Sequence, residues 1–239
     1  MSPAHGAGGP LVVVAIPAHD EQELLGRCLE SVARARELLL IERPDARCRV
    51  VVCADACTDQ TAEVARSRGV AVVESTARAV GAARDAAVAE GLRLLDGVGW
   101  PADEVWLATT DADSQVPGHW ITSQLAMAAA GAQVVVGTVE PDGGELPMLS
   151  AWWQRHELGE GHGHVHGANL GLWVSVWRMV GGFGQLRTHE DVLLVERCRA
   201  AGVEVRATDA HRVLTSSRRD NRVPGGFGGF LRELTDGLD

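Results

Sequence analysis

The sequence predicts an α/β fold, a single domain with a mainly parallel central sheet flanked by helices. Two observations predict it. Continuous runs of β-branched residues, such as "LVVVAI" at 11–16 and "CRVVVCA" at 48–54, are typical of strands buried on both faces. Stretches with apolar residues at helical spacing alternate with these runs, which indicates βαβ units.

The first half of the chain follows this alternation regularly. The predicted strands are 11–16, 48–54, 70–75, 104–110 and 132–139. Gly69 ends the second predicted helix, and a proline lies in the first turn of the fourth, "PGHWITSQ". After about residue 140 the pattern becomes irregular, with a loop-like "EPDGGELPMLS", a helix at 190–202 and a short strand at 203–209.

Composition and charge narrow the classes of protein. The 239 residues suffice for one large domain, and the net charge of −10 argues against a nucleic acid partner. The longest apolar runs are too short for a transmembrane segment, and the first ten residues lack the pattern of a secretory signal. The five cysteines show no disulfide framework. We therefore expect a cytoplasmic protein.

Aspartates follow several of the predicted strands. Asp20, Asp55, Asp111 and Asp113 all lie just after strand ends, where ligands bind in parallel sheets. The pair Asp111 and Asp113 has two interpretations. It forms a turn after a strand, or it binds Mg²⁺ or Mn²⁺, which carboxylates hold together with substrate phosphates.

Seven segments in order resemble family 2 glycosyltransferases with the GT-A fold. They are "VVVAIPAHDE" (12–21), "VVVCADACTDQTAEVA" (50–65), "GAARDAAVAEG" (81–91), "TTDADSQVPGHWI" (109–121), "HGANLGL" (166–172), "VGGFG" (180–184) and "HEDVLLVERCRAAG" (189–202). The resemblance extends from about residue 11 to 215. It implies a metal-dependent, inverting transfer of a sugar from a UDP- or GDP-sugar to an acceptor hydroxyl.

The resemblance also implies which residues bind the donor. "IPAHDE" corresponds to the segment that lines the nucleotide, Asp55 to the carboxylate that contacts the base, and Asp111 with Asp113 to the metal and diphosphate motif. The expected donor-binding residues are Pro17, Ala18, His19, Glu21, Asp55, Arg84, Asp111, Ala112, Asp113, Gly167 and Asn169. Arg218, Arg219 and Arg222 join them, because a basic tail can close over a diphosphate.

Catalysis and metal binding are expected at acids that the same motifs identify. Asp191, in "EDV", is the candidate base that takes the proton of the acceptor hydroxyl, with Glu190 as its neighbour. The expected cofactor is Mn²⁺ or Mg²⁺, held by Asp113 and Asp111, with His211 as a candidate third ligand. Such an ion stabilises the leaving diphosphate.

The predicted domain organisation has three parts. A flexible N-terminus (1–10) precedes the transferase domain (11–215), and a mobile, basic, glycine-rich tail (216–239) follows it. The domain itself divides into a nucleotide-binding half (11–115) and an acceptor-binding half (116–215).

Several alternatives stay open from the sequence. One is a retaining transferase resembling the glucosyl- or mannosyl-glycerate synthases, and another is a non-catalytic sugar-nucleotide-binding protein. For the histidine cluster we favour donor or acceptor contacts over a transition-metal site; its members are His156, His162, His164 and His166. The acceptor, small or lipid-linked, is not identified, and a homodimer is left open.

Overall fold

The computed structural model shows an α/β fold built on one sheet, and it describes residues 9–96, 104–144, 146–155 and 158–218. The strands are β1 (Leu11–Ala18), β2 (Arg47–Asp55), β3 (Ala71–Ser75), β4 (Val105–Thr109), β5 (Ser114–Gln115), β6 (Val134–Asp142), β7 (Leu170–Trp173) and β8 (Val205–Ser216). The helices are α1 (Leu25–Glu42), α2 (Thr61–Ser67), α3 (Val80–Asp96), α4 (Trp120–Ala129), α5 (Leu146–Arg155), α6 (Val174–Met179) and α7 (Glu190–Ala200). Within these ranges, none of the helices combines the length and hydropathy needed to span a bilayer.

The sheet is mixed, with the strand order β3-β2-β1-β4-β7-β6-β8-β5. β1 lies parallel to β2 and β4, β2 parallel to β3, and β6 parallel to β8. β7 runs antiparallel to β4 and β6, and β5 antiparallel to β8. The predicted parallel arrangement is therefore confirmed for β1 to β4. Parallel neighbours need long crossover connections, and α1, α2 and α3 supply them between β1 and β4.

The central strand β1 is covered on both faces. All eight of its residues are buried. Val12 packs on one face with Leu25 of α1, and Val13 packs on the other face with Val88 of α3. Successive side chains of a strand point to opposite faces, so the continuous apolar run seen in the sequence is what a strand between two layers of helices requires.

The region after residue 140 is more regular than its sequence predicts. β6 continues to Asp142, and α5 forms within the stretch expected to be a loop. β8 has 12 residues because it pairs with both β6 and β5. Contacts continue past the predicted domain boundary at 215, since the Arg218 side chain binds Glu21. The C-terminal end of β8 therefore belongs to the same sheet edge as the ends of β1 and β2.

Candidate active site

Asp55, the last residue of β2, carries an unusual carboxylate. The residue is 5% exposed, and its Oδ2 accepts the backbone N–H of Ala79 at 2.9 Å. Its Oδ1 is buried, and no group in the described part of the chain hydrogen-bonds to it. Leaving a buried acceptor without a donor is unfavourable by about 1–3 kcal/mol. This oxygen is therefore available to a further hydrogen-bond donor.

The segment that follows β1 lies next to Asp55. The Nδ1–H of His19 donates to the Asp55 carbonyl oxygen at 2.7 Å, and the His19 side chain is 48% exposed. Pro17 and Ala18 are the last two residues of β1 and are buried, as is Glu21. The structure thus brings this predicted nucleotide segment to the same edge of the sheet as Asp55, and the imidazole of His19 is exposed there.

Strained backbone is concentrated around this edge. Among the described residues, the non-glycine positions with positive φ are Asp20 (52°), Ala56 (51°), Arg78 (51°) and His189 (59°). The first three follow the ends of β1, β2 and β3, and His189 precedes α7. Side chains other than glycine rarely adopt this conformation, and such strain is typical of functional sites.

A buried guanidinium joins three distant segments. Arg84 of α3 is 2% exposed; its Nη2 donates to Asp111 Oδ1 at 2.6 Å, its Nη1 to the Gly167 carbonyl at 3.1 Å and its Nε to Glu190 Oε1 at 3.0 Å. Burial alone would lower the pKa of Arg84, but Asp111 and Glu190 raise it above its usual value. A contact between Arg84 and the donor stays a prediction, and in the structure its guanidinium binds Asp111.

The two acids at the start of α7 have different surroundings. Glu190 is 4% exposed; burial raises the pKa of its carboxyl, which Arg84 opposes and Asp191 reinforces. Asp191 is only half-buried, and its Oδ2 accepts the Gly167 N–H at 2.6 Å. Glu190 therefore holds Arg84, whereas the Asp191 side chain is partly exposed.

A second arginine lies at Asp113. The Nη2 of Arg218 donates to Glu21 Oε1 at 2.6 Å and Oε2 at 2.9 Å, and to Asp113 Oδ2 at 3.1 Å. Burial raises the pKa of Asp113, Asp111 adds to the shift, and Arg218 opposes it. A cleft of about 90 Å³ beside this contact is lined by Leu24, Arg27, Asp113, Gln115, Asp142 and Ser216.

Comparison with known families identifies the family of the chain. The model described as Glycosyl transferase family 2 matches residues 13–155, more than half of the chain. The chain belongs to glycosyl transferase family 2. A search of curated proteins gave no match.

Solved GT-A structures are similar in fold to this family 2 chain. TarS from S. aureus in complex with UDP has a TM-score of 0.59 and 14% identity, over 86% of this chain and 61% of that one. A mannosyltransferase from Pyrobaculum calidifontis, in complex with GDP-Man and Mn²⁺, has a TM-score of 0.62 and 15% identity, over 95% and 69%. Glucosyl-3-phosphoglycerate synthase from Mycobacterium tuberculosis, in complex with Mg²⁺ and UDP, has a TM-score of 0.53 and 18% identity, over 97% of this chain and 79% of that one. The predicted family and fold are confirmed, and the chain carries a transferase domain.

Oxygen ligands at the family 2 site fit a hard dication. The Asp113 carboxylate borders the cleft, and Gln115, Asp142 and Ser216 add further side-chain oxygens. The Asp111 side chain, two residues away, is 36% exposed. Carboxylate, amide and hydroxyl oxygens are the donors that Mg²⁺ and Mn²⁺ prefer, so these residues suit the expected cofactor.

Two acids and a cysteine elsewhere on this edge have ligand atoms that lie close together. In the described ranges, Asp20, Cys57 and Asp59 are the residues whose ligand atoms approach one another closely enough to share an ion. Their hydrogen bonds explain this proximity, since Asp20 Oδ1 accepts the Thr58 N–H at 2.6 Å and Asp59 Oδ2 accepts the Gln22 N–H at 3.0 Å. The group ties the loop after β1 to the loop after β2.

His211, the candidate third ligand, lies inside the fold. It is 1% exposed, its Nδ1 is 3.0 Å from Ser123 Oγ, and burial together with the nearby His119 lowers its pKa to about 4. Among the residues that the structure describes, His211 does not form a group with Asp111 and Asp113 that could share one ion.

Three further predicted donor contacts are internal. Asn169 is fully buried; its Oδ1 accepts from Trp120 Nε1 at 2.9 Å, and its Nδ2 donates to two backbone carbonyls. Ala112 is 3% exposed, and Gly167 is buried with both its N–H and its carbonyl already bonded. The polar groups of Asn169 and Gly167 are thus occupied within the protein.

The histidines before β7 form a stack. The ring centroids of His162 and His164 lie 5.8 Å apart at 27°, and those of His164 and His166 lie 6.1 Å apart at 20°. Within the described residues, their nitrogen atoms do not meet the spacing of a shared metal site. Contacts to donor or acceptor stay a prediction. His156, Arg219 and Arg222 lie outside the described residues, as do the first eight residues and most of the predicted tail.

Two supporting residues were missed in the sequence. Asp85 accepts from Trp177 Nε1 at 2.8 Å and from the backbone N–H groups of Phe183 and Gly184, each at 2.9 Å. Thr109 Oγ1 donates to the Gly167 carbonyl at 2.6 Å. For Asp85 the available signal was the charged pair in "GAARDAA", since charges that an alanine-rich helix buries need partners.

Proposed function

We propose that the chain transfers a sugar from a nucleoside diphosphate sugar to an acceptor hydroxyl, with inversion at the anomeric carbon. The contact that carries this proposal is the Arg84 network. One guanidinium contacts Asp111 directly and reaches Asp191 through the Gly167 peptide. The acid assigned to the diphosphate and the acid assigned to the acceptor are therefore held around one point.

The nucleobase is assigned to the edge formed by Asp55 and His19. The unpaired buried Oδ1 of Asp55 would accept a ring N–H, such as N3–H of uracil or N1–H of guanine. The exposed imidazole of His19 lies beside it and offers a face for stacking. Complexes of the neighbouring folds with UDP and with GDP-Man support a donor of this class.

The diphosphate is assigned to Asp111 and Asp113 with Mn²⁺ or Mg²⁺. When bound, such an ion supplies a positive charge that stabilises the leaving diphosphate. Asp113 would hold the ion with oxygens that line the adjacent cleft, and Asp111 is fixed in place by Arg84. Of the tail arginines, Arg218 lies near enough to contact a diphosphate at this position.

Asp191 is assigned as the general base. Its carboxylate would accept the proton of the acceptor hydroxyl while the new oxygen–carbon bond forms and the carbon–oxygen bond to the diphosphate breaks. The Gly167 N–H orients this carboxylate. Glu190 is neutralised by Arg84 and stays outside the reaction.

The test is transfer or hydrolysis of UDP- and GDP-sugars by the full chain with Mn²⁺. Asp191→Asn should keep donor affinity in calorimetry and lower turnover by about 10²–10⁴-fold. Asp113→Ala should lose affinity, as should the wild type in chelator. Asp45→Asn, exposed at the opposite edge of the sheet, is the control and should change neither quantity.

The anomeric configuration of the product separates inversion from retention. Unchanged turnover of Asp191→Asn together with a retained configuration would overturn the proposed base and the inverting course. Binding of donor without any turnover in the presence of varied hydroxyl acceptors would favour the non-catalytic alternative.

A further inference from the structure

Arg218 binds two acids that come from distant parts of the sheet edge. Glu21 follows β1, Asp113 follows β4, and Arg218 follows β8. The three distances, 2.6, 2.9 and 3.1 Å, are those of charge-assisted hydrogen bonds. The contact therefore closes the edge between the loop assigned to the nucleotide and the loop assigned to the diphosphate.

The contacts of Arg218 with the two acids are made by one nitrogen of its guanidinium. All three bonds are made by Nη2, and in the described part of the chain no hydrogen bond of Nε or Nη1 is present. The Arg218 side chain is 29% exposed. Nε and Nη1 remain able to bind another anion.

Asp113 needs a positive charge with or without a ligand. Its side chain is 24% exposed and that of Glu21 is 11% exposed, with Asp111 two residues away. Without a cation these carboxylates would repel one another in a poorly solvated place. The guanidinium fills this need, and it does so at the carboxylate assigned to Mn²⁺ or Mg²⁺.

We propose that Arg218 is an internal cation that competes with the divalent cation for Asp113. In the free protein Arg218 binds Asp113 and Glu21. Binding of the divalent ion at Asp113 displaces the guanidinium, because two cations beside one carboxylate repel. Arg218 is then released from Glu21 as well and becomes available to the diphosphate. This inference rests on the proposed function only for the assignment of the ion to Asp113.

The first test is a Mn²⁺ titration without donor, followed by electron paramagnetic resonance of the free ion. If the contact is closed in most molecules, Arg218→Gln should bind Mn²⁺ about tenfold more tightly than the wild type. Arg68→Gln is the control, because it removes the same charge from an arginine that binds Glu30 at 2.8 Å, and neither of these residues lines the cleft. It should change the affinity by less than about threefold at 0.15 M salt. Equal or weaker binding by Arg218→Gln overturns the proposal.

A second test uses the absence of lysine from the sequence. Arg218→Lys introduces one lysine, so a lysine-specific protease can cut the variant only after position 218. Saturating Mn²⁺ should accelerate this cut at least about threefold, as the closed contact is displaced. In Asp113→Ala/Arg218→Lys the ion should have no effect. An unchanged rate in the single variant also overturns the proposal. Neither readout uses donor or turnover, so failure here leaves the transfer reaction to its own test.

Discussion

The backbone N–H of Gly167 donates to Asp191 Oδ2 at 2.6 Å while the carbonyl of the same residue accepts from Arg84 Nη1 at 3.1 Å. One residue thus connects the candidate base with the arginine that holds Asp111. A Cβ atom at Gly167 would lie 2.3 Å from Arg84 Nη2. The close approach explains why this position needs glycine, although its φ is not positive.

Gly167→Ala should impair transfer more than donor binding. The added methyl group must push Arg84 away from Asp111 or displace the peptide that orients Asp191, and a shift of about 1 Å at a reacting group lowers turnover by about 100-fold. Steady-state kinetics together with donor calorimetry measure the two effects. Gly163→Ala, where a Cβ meets no atom within 4 Å, is the control and should behave as the wild type. Normal turnover in Gly167→Ala would show that the contact does not position the base.

Arg84→Met should destabilise the protein strongly. It leaves Glu190 buried without its partner, and breaking a buried ion pair from one side lowers the free energy of unfolding by about 3–5 kcal/mol. Arg93→Met is the comparison on the same helix, since Arg93 is 67% exposed and pairs with Glu90 on the surface, so little change is expected. Urea denaturation measures both variants.

A double variant checks the cause of this loss. Adding Glu190→Gln to Arg84→Met removes the uncompensated charge and should recover part of the stability. If the double variant is as unstable as the sum of the single ones, Arg84 acts through packing and not through Glu190.

Strand ends were predictable from the sequence, and the partners of Arg84 were not. Asp55 and Asp113 follow short apolar runs that predict strands, and parallel strands bring their carboxyl ends to one edge. Arg84, by contrast, lies 83 residues from Gly167 and 106 from Glu190, distances at which no periodicity relates residues. The burial of Asn169 and His211 depends equally on the packing of β6, β8 and α4, which the motifs alone did not indicate.

Ala56→Gly should stabilise the fold. Ala56 has φ of 51°, a conformation that disfavours residues with a Cβ by about 1–2 kcal/mol. Glycine removes this strain but loses more chain entropy on folding, so a net gain of about 0.5–1 kcal/mol is expected. Ala77→Gly, in the exposed loop after β3 and without positive φ, should instead lose stability. The midpoints of urea denaturation measure the stability of both variants. A lower stability of both would mean that the Ala56 conformation carries no strain.

His211 should make stability depend on pH below neutrality. Burial and His119 lower its pKa from the ordinary 6.5 to about 4, so the unfolded chain takes up a proton that the folded protein rejects. The stabilisation is present above pH 6.5, and it is lost progressively as the pH falls from 6.5 to 4. At 1.36 kcal/mol per pKa unit, the loss amounts to about 3 kcal/mol.

His211→Asn should remove this component of the pH dependence. Urea denaturation at several pH values between 7.5 and 4.5 measures it as the difference between variant and wild type, in which the acids common to both cancel. The variant starts less stable at neutral pH, because the Ser123 contact and the packing of the ring are lost, but its curve should fall less steeply. His189→Asn, at an exposed position with positive φ that asparagine tolerates, should keep the wild-type slope. If the free energy of unfolding depends on pH in the same way for His211→Asn and the wild type, the imidazole takes up its proton in the folded protein. His211 would then have to be accessible to water and ions.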